Sequence, residues 1–416
     1  MRKGIALLLA AMLPGILFAG GKKEMDDSVT TIQLWHRYSG RNEASLNQII
    51  TLFEAQNPDI KVEVTPTPGE FMELLQKMIA DIAAGNPAPD LFIGGYNLLE
   101  YIYSEMEPTR INDLAPNRTA YRNFTEKFLP GMLKLGEINR EQISIPFGLT
   151  NFVMYYNEDL FKAAGLTEAD VPKTWDDVIR VGRIIKEQTG KYAIALWKGT
   201  ASFDICLINS NGGKMLTDDK TQVAFNNPET IEAIRFWQSL NQLGLEQMST
   251  TDEDMTNFIA GEVAMYVEVC SMLASLTRSS NFNLKVAEVP AFGNKRKALP
   301  AQGGTIMSFT KDRTKYDAVW RFINFATDPE AMEIRTGTGA LCTTNADVPI
   351  VPGQEPAYAQ MQYMIPMLNW PGGAAGLEID RMYLNKRTEI IRSNVDVAAA
   401  LRQLEDDCNR LLADNR

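Results

Sequence analysis

The chain has 416 residues, of which 45% are hydrophobic and 22% charged, with four cysteines and a single histidine. This length exceeds one ordinary hydrophobic core and fits about two globular domains. The lone histidine, His36, excludes HExxH metalloproteases and chemistries that need two histidines. A formal net charge of −11 argues against a nucleic-acid partner, because such proteins bind phosphates through cationic side chains.

The first 20 residues have the pattern of a secretory signal peptide. Arg2 and Lys3 form a basic start, an apolar run covers residues 5–13, and small residues follow, so we expect cleavage near Ala19-Gly20. The run is too short for a membrane span, which needs about 20 apolar residues. No cysteine stands at the cleavage point, which disfavours a lipid anchor. The sequence predicts an exported protein, periplasmic or extracellular.

The cysteines are Cys206, Cys270, Cys342 and Cys408, each more than 60 positions from the next. No CxxC motif is present, which excludes thioredoxin motifs and zinc ribbons, and no cofactor or metal is predicted. An oxidising compartment would permit disulfides. However, Cys408 lies on an apolar helical stripe with Leu404, where a small buried hydrophobe fits. We expect four unpaired structural thiols, with a disulfide as the alternative.

Strand and helix patterns alternate along the first part of the chain. Residues 31–35 and 60–64 are typical of strands, residues 46–53 and 71–82 of amphipathic helices, and residues 91–93 of a buried strand. This order predicts a parallel α/β sheet with right-handed crossovers. Ligands bind such sheets beyond the carboxyl ends of the strands.

Two loops therefore become candidates for ligand binding, residues 36–42 and residues 94–98. Glycine-rich polar segments at 148–151, 302–305 and 337–345 are candidate crossings between domains. The second half repeats the alternation, with a capping box at Thr174 and Asp177, helices at 228–243, 252–260 and 315–326, and a strand at 263–269.

Sequence motifs for catalysis are absent. The chain contains no GxGxxG, no GxxxxGK[ST] and no GxSxG, which removes the main support for dinucleotide, P-loop and serine-hydrolase functions. The carboxylate pairs Asp176-Asp177 and Asp406-Asp407 fall on helix starts and solvated faces. A glycoside hydrolase needs two carboxylates about 5 to 10 Å apart across a cleft, and no local pattern singles out such a pair. A secreted polysaccharide-processing enzyme stays an alternative.

Short motifs distributed over nearly the whole chain point elsewhere. They are Trp35-His36, NPDIKV at 57–62, GNPAPD at 85–90, IPF at 145–147, YYN at 155–157, LFKAAGL at 160–166, PKTWDD at 172–177, FIAGEVAM at 258–265, Gly303-Gly304 and FINFA at 322–326. In their order and spacing the chain resembles the extracellular solute-binding proteins of family 1, the carbohydrate receptors of ABC importers.

The resemblance implies an α/β, two-lobed periplasmic-binding-protein fold (type II, Venus-flytrap) with the ligand cleft between lobes joined by hinge crossings. It places residues 29–146 and 300–338 in the N-terminal lobe, and residues 147–299 and 339–416 in the C-terminal lobe. It implies a substrate-binding component, not an enzyme, that captures a sugar or oligosaccharide and delivers it to the transmembrane subunits of a permease. We expect a monomer with no nucleic-acid partner.

Within the family, Trp35-His36 and Thr336-Gly337 resemble the branch that holds the glycerol-3-phosphate receptor. Three segments depart from that branch, and one of them is Gly339-Ala340-Leu341-Cys342, which stands in place of a Gly-Tyr-Leu-Pro run. Gly94-Gly95-Tyr96 replaces acidic and aromatic residues, and Gly376-Leu377-Glu378 replaces a late arginine segment. An anionic phosphate favours an arginine fork or a helix N-terminus. The departures favour a neutral sugar, with sn-glycerol-3-phosphate or another polyol phosphate as the alternative.

A sugar site combines aromatic rings, which cover the apolar ring faces, with groups that pair the hydroxyls. The resemblance and loop positions predict ligand contacts from His36, Ser39, Arg41, Tyr96, Thr150, Asn151, Trp197, Glu268, Ser271, Gly303, Gly304, Trp370 and Arg381. Structural roles are the alternatives: a loop hydrogen bond for His36, pairing with Glu43 for Arg41, ordinary packing for Tyr96 and Trp370, and a hinge turn for the two glycines.

Overall fold

The computed structural model describes residues 29–247 and 249–415, so the predicted signal peptide lies outside the described residues. The strands are β1 (Thr30–His36), β2 (Ile60–Pro66), β3 (Leu91–Gly95), β4 (Glu137–Ile138), β5 (Glu141–Gln142), β6 (Ser144–Thr150), β7 (Phe152–Asn157), β8 (Tyr192–Leu196), β9 (Val263–Val269), β10 (Leu284–Ala287), β11 (Leu299–Pro300), β12 (Gln302–Ser308) and β13 (Met364–Ile365).

The helices are α1 (Gly40–Gln56), α2 (Phe71–Ala83), α3 (Leu99–Met106), α4 (Ile111–Leu114), α5 (Arg118–Thr125), α6 (Glu158–Ala163), α7 (Trp175–Thr189), α8 (Ser202–Ser210), α9 (Pro228–Gln242), α10 (Thr251–Ile259), α11 (Leu273–Ser279), α12 (Tyr316–Phe325), α13 (Pro329–Thr336), α14 (Glu355–Ala359), α15 (Ala374–Arg392) and α16 (Val397–Asp414). Short 3-10 turns lie at Tyr96–Leu98, Leu133–Gly136, Glu168–Asp170, Cys270–Met272, Arg313–Lys315 and Met361–Tyr363.

The first sheet has the strand order β2-β1-β3-β12-β6. Strand β1 pairs in parallel with β2 and β3, which confirms the predicted β-α-β-α-β unit. Helix α1 covers this sheet with Leu46, Ile49, Ile50 and Phe53 buried at helical spacing. Strand β12 arrives from much later in the chain and runs antiparallel to both β3 and β6.

The second sheet has the order β10-β7-β9-β8, with β8 parallel to β9 and the other pairs antiparallel. Helix α7 packs beside it and begins with the predicted capping box. Asp177 N donates to Thr174 Oγ1 at 3.1 Å, and Asp177 Oδ2 accepts from Thr174 N at 3.1 Å. Trp175, which follows the cap, is fully buried against Phe203, Phe236 and Phe292.

The chain passes from the first sheet to the second at the predicted segment 148–151. Asn151 alone separates β6 from β7. The chain returns through β11, which pairs with β13, and enters the first sheet in β12. Later, Leu129 N donates to Thr343 O at 3.0 Å and Asn345 N donates to Lys127 O at 2.7 Å. From these pairings we propose that the N-terminal lobe extends to Thr150 and again to Asn345, beyond the predicted limits at 146 and 338.

The cysteines do not form disulfides: Cys206, Cys270, Cys342 and Cys408 are all free and buried, as predicted. Burial raises the pKa of Cys206 and of Cys270 to about 12, so both remain thiols at neutral pH. Among residues 29–247 and 249–415, no helix combines the length and apolar character that a membrane crossing requires.

Gly303 offers a test of the junction between β6 and β12. Its φ is +92°, and a Cβ there would overlap the carbonyl oxygen of Gly148. Gly131 is a matched control, because its φ is +84° and a Cβ would have no neighbour within 4 Å. We expect Gly303→Ala to lower the free energy of unfolding by about 3 kcal/mol and Gly131→Ala by about 1 kcal/mol, measured by urea denaturation. Equal losses would contradict this close approach.

Candidate ligand-binding cleft

A cleft lies between the first-sheet elements around α3 and the segment that leads into α15. The space inside it that a water-sized sphere can occupy is about 30 Å³, so the two walls lie close together. One wall comes from α2 and the 96–98 turn, and the other from the start of α8 and residues 367–380. The lining residues are Met72, Asn97, Leu98, Glu100, Tyr101, Thr200, Ala201, Ile205, Met367, Leu368, Asn369, Trp370, Gly373, Gly376, Leu377 and Asp380.

Trp370 is the predicted site residue that lines this cleft. Its Nε1 donates to Asp380 Oδ1 at 2.8 Å, and its ring centre lies 5.8 Å from that of Tyr383. Burial raises the pKa of Asp380 and also that of Glu100, where the charge of Lys220 acts in the opposite direction. Neither carboxylate takes part in an ion pair within the described residues. The cleft thus combines a half-buried indole with carboxylates that can accept hydrogen bonds.

A second group of polar side chains lies at the ends of β1 and β3. We call His36, Tyr38, Tyr96 and Arg335 the donor cluster. His36 Nδ1 accepts a hydrogen bond from Tyr38 N at 3.0 Å, and the two rings lie 5.8 Å apart. The Arg335 guanidinium carbon lies 4.5 Å from the centre of the Tyr38 ring and 5.1 Å from that of Phe147.

Tyr96 and Arg37 connect the donor cluster to the cleft. Tyr96 opens the 3-10 turn whose next residues, Asn97 and Leu98, line the cleft. The Arg37 guanidinium carbon lies 4.5 Å from the centre of the Phe71 ring, one residue before Met72 in the cleft wall. The cluster is thus joined to the first-sheet wall through the chain, and none of its four residues is among those that line the cleft in the described chain.

Burial determines the protonation of the cluster. It lowers the pKa of His36, while Glu43 raises that pKa and Arg335 lowers it further. Burial, together with neighbouring Tyr38, raises the pKa of Tyr96 far above its usual value. His36 is therefore a neutral imidazole and Tyr96 a neutral phenol at neutral pH.

Other predicted site residues near the first sheet have structural contacts. Arg41 is exposed and donates to Gly337 O at 3.0 Å rather than pairing with Glu43. Ser39 is exposed at the start of α1, where its side chain makes no capping bond. Thr150 pairs with Gln302 in the sheet. None of these residues lines the cleft within the described chain.

Asn151, Ser271 and Trp197 lie around the start of the second sheet. Asn151 Nδ2 donates to Ala357 O at 2.9 Å, and its backbone oxygen accepts from Cys270 N, next to Ser271. The Trp197 ring centre lies 5.7 Å from that of Phe152. These contacts give Asn151 a hydrogen-bonding role and Trp197 a packing role, and a ligand contact stays a prediction for all three residues.

Glu268 is buried with the polar partners expected for it. Tyr266 Oη donates to Glu268 Oε2 at 2.8 Å, and Val269 N donates to Oε1 at 2.8 Å. Burial nevertheless raises the pKa of Glu268 to about 7. Both carboxylate oxygens thus accept hydrogen bonds from residues of the same strand. Glu268 is not among the described residues that line the cleft.

The remaining predicted residues are Gly303, Gly304 and Arg381. Gly304 pairs with Gly95 on one side and Gly148 on the other. A Cβ at Gly304 would meet the Tyr38 hydroxyl, so both glycines are needed for close approach. Arg381 is exposed and its Nε donates to Glu378 Oε2 at 2.9 Å, one turn earlier in its helix.

Sequence reasoning missed Arg335 and Tyr38. Arg335 lies on the buried face of α13 with Ala331 and Met332. An arginine rarely occupies a position that the helical periodicity assigns to the buried face. That pattern could have identified Arg335 as a candidate. Glu100 and Asp380 had no such local signal, because each stands on an ordinary amphipathic helix.

The pKa of Glu268 predicts a pH effect on stability. Because burial raises the pKa of Glu268 in the folded state from its ordinary value of 4.5 to about 7, this group's contribution to stability falls as pH rises between those values. We expect Glu268→Gln to gain up to about 3 kcal/mol relative to the wild type across that interval. Urea denaturation at several pH values measures it, with exposed Glu126→Gln as the control. Parallel curves for wild type and Glu268→Gln would contradict the assignment.

Comparison with known proteins shows which family this chain is similar to. The family model for bacterial extracellular solute-binding protein matches residues 39–333. The sn-glycerol-3-phosphate-binding periplasmic protein UgpB of Escherichia coli (strain K12) is 27% identical over 346 residues, covering 77% of this chain and 75% of that protein. The same protein from Shigella dysenteriae serotype 1 (strain Sd197) has the same identity and coverage.

Solved structures share the fold. The cyclic alpha-maltosyl-1,6-maltose binding protein from Arthrobacter globiformis has a TM-score of 0.80 at 21% identity, covering 93% of this chain and 100% of that chain. UgpB from Mycobacterium tuberculosis in complex with glycerophosphocholine has a TM-score of 0.78 at 19% identity, with 92% and 99% covered. The predicted two-lobed periplasmic-binding-protein fold is confirmed. Since the family model spans well over half of the chain, the protein belongs to the bacterial extracellular solute-binding proteins and has the substrate-binding role of an ABC importer.

Proposed function

We propose that the protein captures a sugar or a sugar-like polyol in the cleft beside Trp370. The observation that carries the proposal is the lining of that cleft: an indole and a phenol ring, Trp370 and Tyr101, stand with two carboxylates, Glu100 and Asp380. Aromatic rings cover the apolar faces of a pyranose, and carboxylates accept hydrogen bonds from its hydroxyls.

Binding works by closure, without covalent chemistry. Residues from both walls contact the ligand, and Glu100 N already donates to Asn369 Oδ1 at 3.2 Å across the cleft. A ligand that contacts both walls stabilises the closed arrangement in proportion to its additional contacts there. The closed protein then docks on a membrane permease, which takes the ligand.

We further propose export to the periplasm after cleavage near Ala19-Gly20. The periplasmic relatives and the extracellular family support this location. The relatives' names also support small polyol-like ligands, since they bind sn-glycerol-3-phosphate. A polyol phosphate stays a second candidate because the donor cluster contains Arg335, a buried arginine without an ion-pair partner among the described residues.

The role of Trp370 can be tested with sugars. We expect at least one neutral mono-, di- or oligosaccharide, or a polyol, to stabilise the protein by about 2.7 kcal/mol at 100 times its Kd in a thermal-shift titration. Trp370→Ala should weaken that binding by about ten-fold in isothermal titration calorimetry, because the stacking surface is lost.

Trp370→Phe is the matched control, since it keeps an aromatic face and removes the hydrogen bond to Asp380. It should retain most of the affinity. The cleft assignment fails if Trp370→Ala binds like the wild type, and the receptor function fails if no sugar, polyol or charged derivative stabilises the wild type.

A further inference from the structure

The cleft is lined by acidic side chains and aromatic rings, without a basic side chain to balance them. Its carboxylates are Glu100 on α3 and Asp380 on α15, one on each wall, and its large rings are Trp370 and Tyr101. No lysine, arginine or histidine is among its lining residues in the described chain. The cleft therefore presents negative charge without a positive counterpart of its own.

Neither carboxylate is saturated by partners within residues 29–247 and 249–415. Asp380 Oδ1 accepts from Trp370 Nε1 at 2.8 Å, but its Oδ2 and both side-chain oxygens of Glu100 accept no hydrogen bond from these residues. Burial raises the pKa of both carboxyl groups. The unbalanced charge thus costs free energy, and a bound cation would offset that cost.

The nearby positive side chains act on these carboxylates only from a distance. Exposed Lys220 opposes the raised pKa of Glu100, yet the two side chains form no ion pair among the described residues. Arg387 opposes the raised pKa of Asp380 in the same way, but its guanidinium pairs with Asp204 at 3.0 Å. Neither cation lines the cleft, so a ligand does not have to displace them.

The positive end of helix α15 is already matched by a carboxylate. The helix begins directly after Gly373, where a Cβ would overlap Glu105 Oε1. Glu105 therefore lies against the first turn of α15, where the helix dipole favours a negative charge. Because this helix end has its own anion, the cleft stays complementary to a cation.

The free space favours a small cation that donates hydrogen bonds. A water-sized sphere can occupy about 30 Å³ between the walls, which is room for about two water molecules. A primary ammonium is close to water in size and offers several N–H donors to carboxylate oxygens, whereas a trimethylammonium is larger and donates none. Among the described residues, no group of three or more His, Cys, Asp or Glu could hold a metal ion.

We propose that the ligand of this cleft is an amino sugar or amino polyol, whose primary ammonium group binds between Glu100 and Asp380. This inference rests on the proposed function. The two carboxylates accept hydrogen bonds from the ammonium, and the faces of Trp370 and Tyr101 add cation–π attraction. The sugar ring needs more space than these walls leave. It therefore enters while the walls are further apart, and closure brings both carboxylates to the ammonium.

The experiment measures binding to the full mature chain by isothermal titration calorimetry, with ligands that share a skeleton and differ in charge. They are glucose, glucosamine, N-acetylglucosamine and glucuronate, together with cellobiose, the chitosan disaccharide and choline. We expect glucosamine or the chitosan disaccharide to bind about ten-fold more tightly than its neutral counterpart, and glucuronate to bind more weakly than glucose. Choline should bind no more tightly than glucose, because its ammonium has no N–H. Added salt should reduce the advantage of the amine.

Two variants each remove one charge and preserve the shape of the side chain. Glu100→Gln and Asp380→Asn should each remove most of the advantage of the amino sugar and change the affinity for the neutral sugar by less than about two-fold. Asp380→Asn keeps an oxygen that can accept from Trp370 Nε1. Glu389→Gln is the matched control on the same helix, since its side chain is 51% exposed, and it should retain the full advantage. Thermal melting checks that every variant is folded.

The outcomes separate this inference from the proposed function. The inference is overturned if the neutral sugars bind as tightly as their amino counterparts, or if the advantage survives in both Glu100→Gln and Asp380→Asn. Loss of the advantage in Glu389→Gln would also overturn it, because the general surface charge would then explain the preference. Binding of a neutral sugar without a gain from the amine leaves the proposed function standing, whereas absence of binding by every ligand would reject both.

Discussion

The insertion of β12 between β3 and β6 is the constraint on which the rest of the structure depends. This strand comes from more than 150 residues beyond β6 in the chain and completes the first sheet. Its Gly304 lies directly between Gly95 and Gly148, which lets the backbones and Tyr38 approach closely. Because β12 leads on into α12 and α13, the same insertion also carries Arg335 to the donor cluster.

Charge is distributed unequally around the cleft. Glu100 on α3 and Asp380 on α15 line opposite walls of the cleft, whereas Arg335 is buried in the donor cluster at the first sheet. None of these three side chains takes part in an ion pair within the described residues, in contrast to the buried network of Lys198 and its carboxylates. Both walls of the cleft therefore present a carboxylate that can accept hydrogen bonds.

Much of the fold could be predicted from local patterns. The strands around residues 31–35 and 60–64, the helix at 228–243 and the capping box at Thr174 lie where periodicity and capping chemistry indicated them. The site was less predictable. Trp370 lines the cleft as expected, whereas Glu268 and Arg381 are occupied by partners on their own strand and helix. Such short-range pairing depends on rotamers and burial that a sequence pattern does not contain.

By itself, the sequence determined the α/β class, the absence of paired cysteine motifs and the family, because periodicity, composition and ordered short motifs carry that information locally. Tertiary structure decided which side chains share a surface. Arg335 contacts Tyr38 across almost 300 residues of sequence, and Glu100 and Asp380 line the same cleft. These residues, which are distant in sequence, come together because of the order of the strands in the sheets and the packing of the helices around them. The net charge of −11 argued against a nucleic-acid partner, but only the fold shows that Arg335 is buried without an ion-pair partner among the described residues.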